Sequence, residues 1–548
     1  MTRTYLSAGS VAARGRPRPG SPAPPGRGDG PARWALLVVL AVQAVLSLRL
    51  VWSTTAFQDE ALYLRAGHLE WAHWLHQMPI PRFPAYFSGA PVIYPPLAAA
   101  ADSLGGLAAA RLLSLCFMLG VTGLLWATTA RLYGRRAALL ASGLFATLAG
   151  TQFLGAFATF DAMALFLLAL AAWLAVRAAL LAPSHPGGPI PPDPPREKTT
   201  PPNPPAAQAT GGWSPSRTAL LAAAGLALAA ANAVTYPTVL FTPVVLAVAA
   251  LAARRERPGR AWLTAFVTVG GSWLALAAAA VAVGGRVYWQ GLTASTLARP
   301  GADTPVTTVL RSAYVWTSLI LILAVLGATI ALASREDSGG KPLPAVLAAA
   351  ALLAPAGQAV LHTTVSLHKH VVPGAWFAAI AAGYAMARLS RVDPGRGWAA
   401  VMALPIAAAT LFGSLGQAAA LFRVWPDSAA AVAILRSAVH AHPGQYLAED
   451  YDVEAYYLRD RVPWPRWSGT WFFRYQQAAP GPPSYAAAIS RHYFSLVILD
   501  FGDTAAADVL ITADMRRAGG YYVLARAGPF TIWASRSPAT AGGDRGRH

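Results

Sequence analysis

Charge is scarce in this 548-residue chain: 12% of residues are charged, 55% are hydrophobic, and mean hydropathy is +0.42. Soluble domains carry about 25% charged residues, so a soluble globular chain is excluded. Cysteine is nearly absent. Cys116 stands alone inside an apolar run, which excludes any intrachain disulfide, and it reads as a small buried core residue. Lysine is nearly absent too: Lys198, Lys341 and Lys369 are the only three, and Arg supplies the other cations. The net charge of +19 suggests a nucleic-acid partner, but the arginines sit in the N-terminal tail and in short loops such as "RLYGRR", "ARRERPGR" and "RLSRVDPGRG". That is positive-inside orientation, without the basic face and interleaved aromatics of a nucleic-acid binder.

What the chain has in abundance is apolar runs near 20 residues, each able to cross a hydrocarbon core of roughly 30 Å. About eleven are expected from length and flanking charge, over residues 34–54, 107–129, 136–153, 160–182, 217–233, 236–253, 262–283, 311–333, 344–362, 372–388 and 398–420. With the N-terminus in the cytoplasm, the Arg-rich loops all face inward. The first run reads as a retained signal anchor. The expected architecture is a polytopic α-helical membrane protein with a small C-terminal α/β domain outside the cytoplasm, in a plasma-membrane setting.

Four stretches are not spans. Residues 1–33, rich in Arg, Pro and Gly, read as a disordered cytoplasmic basic tail. Within the membrane domain, 34–422, residues 55–106 form a long first external loop, whose "EALYLRAGHLEWAHWLHQM" suits a helix lying in the membrane interface. Residues 183–216 are a Pro-rich cytoplasmic linker of polyproline character. Residues 423–548 hold nearly half of the acids. There "DSAAAVAILRSAVHA" reads as an amphipathic helix, and "FSLVILDF", "YYVLARA" and "FTIWAS" read as strands. The acids and tyrosines of "EDYDVEAYYLRD" read as a solvated face.

Acids are so few that their placement is informative. On the expected outer side before residue 423 stand Asp59, Glu60, Glu70, Asp102, Asp161 and Asp303. Asp59 and Glu60 follow the first span, and Asp161 opens the fourth apolar run in "FATFDAMALF". Three of these can meet if the first and fourth spans are neighbours. A second reading stays open: Asp161 can favour a helix N-terminus, with Thr159 as a nearby cap. "SLHKHVVPG" offers His368, Lys369 and His370 on an external loop, and Lys369 is the one lysine expected outside. It suits a phosphate contact or a snorkelling interface anchor. No acid stands beside the His-x-His pair, so no metal site is assigned.

"DEALYLRAGH" after a first span, "YPPL" late in the same loop, "ARLLSLCFMLGVTGLLWATTARLYGRRAALLAS" and "FATFDAMALF" together resemble the membrane glycosyltransferases of the GT-C fold that use polyprenyl-phosphate sugars, the protein O-mannosyltransferase and aminoarabinose-transferase superfamily. The resemblance implies an inverting transfer of a sugar from a polyprenyl-phosphate donor to a hydroxyl of a protein, lipid or wall-polymer acceptor. It puts Asp59 in the catalytic-base role with Glu60 beside it, and Asp161 in an acceptor- or substrate-positioning role. Tyr94 stands where the family often has Lys near the lipid phosphate, which leaves one phenolic hydrogen bond there. Lys369, His368 and His370, with Arg65 and Arg299, are the candidates to steady the leaving phosphate. No cofactor is required; a divalent metal is compatible with the pattern. The rival reading is a transporter or lipid flippase with an external accessory domain, which puts its ionisable groups near the midplane and shows internal repeats; neither is found here.

Overall fold

The computed structural model describes residues 29–181, 216–253, 257–299, 301–334, 341–390, 411–471 and 473–536. Most of the expected basic tail, nearly all of the Pro-rich linker and residues 398–410 of the last expected span lie outside the described residues.

In chain order, α1 (Asp29–Val51) leads to α2 (Gln58–His76), a 3₁₀ turn at Phe83–Ala85, and the long α3 (Tyr94–Tyr133). The expected first loop is therefore largely helical. Pro95 and Pro96 start α3, where a missing N–H costs nothing. The helix kinks at Gly105–Gly106, and Gly106 has φ +65, a left-handed conformation that favours glycine. The kink separates a loop-side turn from the span expected to begin at residue 107. Helix α2 does not lie free in the interface. Glu60, Ala61, Tyr63, Leu64, Arg65, Ala66, Gly67 and Glu70 are buried, and only its end exposes Trp71, Trp74 and Leu75.

The bundle continues with α4 (Arg135–Thr147), α5 (Ala149–Leu154), α6 (Asp161–Ala179), α7 (Arg217–Val234), α8 (Thr242–Leu251), α9 (Pro258–Thr264), α10 (Gly271–Leu292), α11 (Val306–Ala333), α12 (Pro342–Ala349), α13 (Leu353–Val360), α14 (Leu367–His370), α15 (Val372–Leu389) and α16 (Leu411–Leu421). Among the described residues, seven helical stretches are long and apolar enough to cross a bilayer: Arg33–Val51, Tyr94–Tyr133, Asp161–Ala179, Arg217–Val234, Pro258–Leu297, Val306–Ala333 and Pro342–Val360. This is a multi-pass membrane protein. The runs expected at 136–153 and 236–253 are shorter or interrupted, the first by the extended backbone of Leu148 and the second by a 3₁₀ turn at Tyr236–Phe241. Without a hydrophobic force between helices, close packing needs small residues. The middle of α15, "GAWFAAIAAG", supplies them: a Cβ on Gly383 would lie 2.5 Å from the Ala137 carbonyl of α4. Cys116 is exposed on α3 rather than buried. The expectation took apolar character for burial, but the outer face of a membrane helix is apolar as well.

After α16 come α17 (Ala429–Ala441), α18 (Tyr451–Tyr457), α19 (Pro482–Ser490) and α20 (Ala505–Ala518), around strands β1 (Gln445–Ala448), β2 (Trp467–Gly469), β3 (Phe494–Leu499), β4 (Tyr521–Ala527) and β5 (Phe530–Ser535). The sheet order is β2-β1-β3-β5-β4, parallel from β2 to β3 and antiparallel beyond. All six residues of β3 are buried: Leu496 and Ile498 pack toward α17, Val497 and Leu499 toward α20. A strand covered on both faces reads as an unbroken apolar run, which is why "FSLVIL" was visible in sequence and the shorter β1 and β2 were not.

"EDYDVEAYYLRD" is not a solvated face. Glu449, Asp452 and Glu454 are buried, and α18 packs on α2. Several polar contacts tie this unit to the first loop. Arg65 pairs with Asp452. Asp102 accepts from Tyr456 at 2.5 Å and from Arg459 at 3.1 Å. The Ala56 N–H donates to Tyr457 Oη at 2.8 Å, and Trp464 Nε1 donates to the Pro79 carbonyl at 3.0 Å.

Candidate active site

Three chain segments far apart in sequence meet at one end of the bundle. Helix α2 brings Asp59 in its first turn, α6 opens on Asp161, and the single turn of α14 brings Lys369. Lys369 Nζ donates to Asp59 Oδ2 at 2.9 Å and lies 3.6 Å from Asp161 Oδ2. The side chains are 7% exposed for Lys369, 11% for Asp161 and 31% for Asp59, so the ammonium is enclosed and Asp59 is the acid open to the outside. Thr159 Oγ1 donates to Asp161 Oδ2 at 2.8 Å. This hydroxyl orients the carboxylate rather than capping α6. Burial alone would lower the Lys369 ammonium, but Asp161 and Asp59 outweigh it and raise its pKa well above the ordinary lysine value. The cation therefore stays charged throughout the physiological range.

Tyr63, one turn beyond Asp59, is buried between Phe160 and Phe87, with ring centroids at 4.7 and 5.3 Å. Burial, then Asp59 and Asp161, raise its phenol well above 10. Sequence reasoning passed over Tyr63; its four-residue spacing from Asp59, which puts both on one helix face, is the signal that could have found it.

Glu60 points away from Lys369 into the protein and is fully buried. Arg111 grips it bidentately, Nε to Oε1 at 2.8 Å and Nη2 to Oε2 at 2.7 Å. The N–H groups of Phe57 and Ala158 complete its shell at 3.1 and 2.8 Å. Arg111 also donates to the carbonyls of Val51, Thr54 and Thr55. Glu60 is thus a fastening group with no oxygen facing the site, contrary to the expected place beside the base. Arg111, hidden in an apolar run 51 residues on, could not be paired with it from sequence.

Two further expectations are corrected. Arg65 is spent on Asp452 and stacks on Tyr451 at 5.1 Å, so it belongs to the contact between the two parts of the chain. Tyr94 is buried with its hydroxyl 3.4 Å from Ser114 Oγ, in the interior of α3. The other candidates gather near Lys369. His370 Nδ1 accepts from Gln358 Nε2 at 2.7 Å. Burial lowers His370 to about 4, with Lys369 and Arg299 acting in the same direction. His368 is lowered to about 4 by burial and then Lys369. Its ring stands edge-on to Phe153 at 4.9 Å.

Beside His368 opens a cavity of about 200 Å³, lined by Leu148, Trp316, Leu319, Val371, Ala375 and Gln417 among others, between α11, α15 and α16. His368, the neighbour of Lys369 in α14, is the titratable group that lines this cavity.

No family model and no curated protein matches this sequence. Solved structures do match. ArnT from Cupriavidus metallidurans, solved bound to undecaprenyl phosphate, aligns with a TM-score of 0.57 at 16% identity, over 94% of this chain and 100% of that one. The oligosaccharyltransferase of Archaeoglobus fulgidus in its apo form aligns with a TM-score of 0.55 at 12% identity, over 90% of this chain and 72% of that one. At such identities the likeness establishes the fold: this chain has the GT-C fold that its motifs resemble.

Proposed function

We propose that this protein is an inverting glycosyltransferase that moves one sugar from a polyprenyl-phosphate donor to a hydroxyl acceptor on the extracytoplasmic face of the membrane. The observation that carries the reading is Lys369, a buried ammonium held between two acids from different helices. A lipid phosphate is a ligand whose head suits that cation and whose tail suits the cavity beside His368. The fold shared with a protein solved bound to undecaprenyl phosphate supports the same donor class. The Arg-rich loops, taken as cytoplasmic, put the N-terminus inside and this end of the bundle outside.

The residues present account for the chemistry. The donor phosphate competes with Asp59 for the three N–H groups of Lys369, which frees Asp59 Oδ2 to accept a proton. The acceptor hydroxyl attacks the anomeric carbon, its proton passes to Asp59, and the sugar–phosphate C–O bond breaks with its electron pair on the phosphate oxygen. Lys369, fixed in place by Asp161 and Thr159, meets the charge that develops there. A single displacement with no enzyme-bound nucleophile inverts the anomeric centre. The histidines, neutral at physiological pH, can donate hydrogen bonds to phosphate without adding charge.

Transfer from a radiolabelled polyprenyl-phosphate sugar in membranes tests this. Asp59→Asn keeps size and hydrogen bonding but cannot take the proton, and is expected to cut transfer by about 10²–10⁴-fold. Transfer by Asp59→Asn as fast as by wild type would remove the assigned base.

A further inference from the structure

A second group of acids lies away from the Asp59–Lys369 site. Glu449 follows β1 directly and Asp500 follows β3 directly. These strands are parallel neighbours, so both carboxylates sit at the carboxyl edge of the sheet, where α/β folds bind ligands. Asp508, in the first turn of α20, completes a group whose oxygens lie within 4.8 Å of one another. The loop between them holds the group in shape: Gly502 N–H donates to Glu449 Oε2 at 3.0 Å, Thr504 N–H donates to Oε1, and Phe501 N–H donates to Asp508 Oδ2 at 3.0 Å.

Independently of that cluster, α18 brings a fourth acid beside two of its members, Glu449 and Asp500. Glu454 is 3% exposed, and its Oε2 has no hydrogen-bond partner. With Glu449, Asp450 and Asp500 it lines a cavity of about 30 Å³, room for one ion with a water. Oδ1 of Asp500 and Oδ1 of Asp508 are likewise buried and unpartnered. Among the described residues, no Lys, Arg or His pairs with any of these acids.

We propose that Glu449, Asp500, Asp508 and Glu454 form a binding site for a hard divalent cation, calcium. All donors are carboxylate oxygens, with no His or Cys to favour a softer metal. Several carboxylates able to bind through one or both oxygens suit the high, flexible coordination number of calcium better than the strict octahedron of magnesium. Ala56, Phe57 and Gln58 line the same cavity. The ion therefore clamps the α/β unit against the turn that presents Asp59. All four ligands belong to the α/β unit, and the inference does not depend on the transferase reading.

The test uses the full chain in detergent, stripped with EDTA and desalted. Calcium chloride is expected to bind saturably at one site per chain by titration calorimetry and to raise Tm. Magnesium chloride is expected to bind at least tenfold more weakly. Asp500→Asn and Asp508→Asn should each weaken calcium binding at least tenfold, yet melt no lower than the metal-free wild type, because each removes one crowded charge. The proposal is overturned by a calcium response that the variants retain, by one that sodium chloride of equal ionic strength reproduces, or by a magnesium response as strong as that of calcium. It is also overturned if the variants melt below metal-free wild type, which would make the carboxylates plain structural acceptors.

Discussion

Asp59 and Glu60 open the same helical turn, and successive side chains on a helix point about 100° apart. One therefore reaches Lys369 while the other turns into protein between α2, α3 and the turn before α6. Truncating one partner of a buried, hydrogen-bonded pair leaves the other charge stranded, at a cost of about 3–5 kcal/mol. Glu60→Ala is thus expected to lower Tm sharply and to reduce the amount of folded protein, whereas Asp59→Asn should fold normally and lose only transfer. Size-exclusion profiles and melting curves of the two variants in detergent check the contrast. The histidine beside the site adds a pH dependence. His370, facing Lys369, Asp161, Asp59 and Arg299, titrates near 4 in the folded chain against an ordinary value of 6.5. Between those values the unfolded chain binds a proton that the folded chain does not. Stability therefore falls as pH drops from 6.5 toward 4, by up to about 1.4 kcal/mol per pH unit from His370, and His368, also lowered to about 4, adds to the slope. His370→Asn should make that part of the Tm–pH curve shallower, leaving the part due to His368; a curve that stays parallel to wild type would remove His370 as a source. At this scale, scarcity made residues legible: few acids and a single outer lysine pointed to Asp59, Asp161 and Lys369. Glu60 and Arg65 were misjudged because their partners, Arg111 and Asp452, lie 51 and 387 residues on.

At the scale of elements, the two motifs that carry the family resemblance touch each other. A Cβ on Gly67 of "DEALYLRAGH" would stand 2.0 Å from the carbonyl oxygen of Pro95 in "YPPL". The next residue, His68, donates to Asp102 of α3 at 2.6 Å. Glycine is needed here for close backbone approach, not for its dihedral angles. Gly67→Ala cannot be accommodated by a side-chain rotation, because the obstacle is backbone. It is expected to push α2 off α3, cost about 1–3 kcal/mol as overpacking does, and displace Asp59 from Lys369. Melting temperature and transfer activity should fall together in this variant, and unchanged values for both would show that the crossing is slack. The helical character of α2 was readable from its periodicity, but its burial was not. The face that looked amphipathic toward a membrane is covered by α18, and nothing local in the sequence announces a cover that arrives nearly 400 residues later.

The whole molecule is held in register by the contact between its first loop and its α/β unit. Seven of the expected spans could be read along the chain because bilayer thickness imposes a length on each, and β3 because burial on both faces leaves an unbroken apolar run. Docking leaves no such trace, since its groups are ordinary Arg, Tyr, Asp and Trp residues that acquire partners only on assembly. Arg65 and Asp452 are its most buried ion pair, flanked by the Tyr456–Asp102 and Trp464–Pro79 contacts. If this pair mainly sets how the two parts sit together, removing one charge should be worse than removing both. Arg65→Met strands the Asp452 carboxylate, and Asp452→Leu strands the Arg65 guanidinium; each is expected to expose α18 to protease and to reduce transfer, while leaving the bundle intact. The double variant, apolar on both sides, should recover most of the protease resistance, with an interaction energy of about 1–3 kcal/mol in the cycle. Limited proteolysis and melting of the four proteins measure it. Additive losses would mean that the two side chains act separately, and that the presentation of Asp59 owes nothing to the charge pair beneath it.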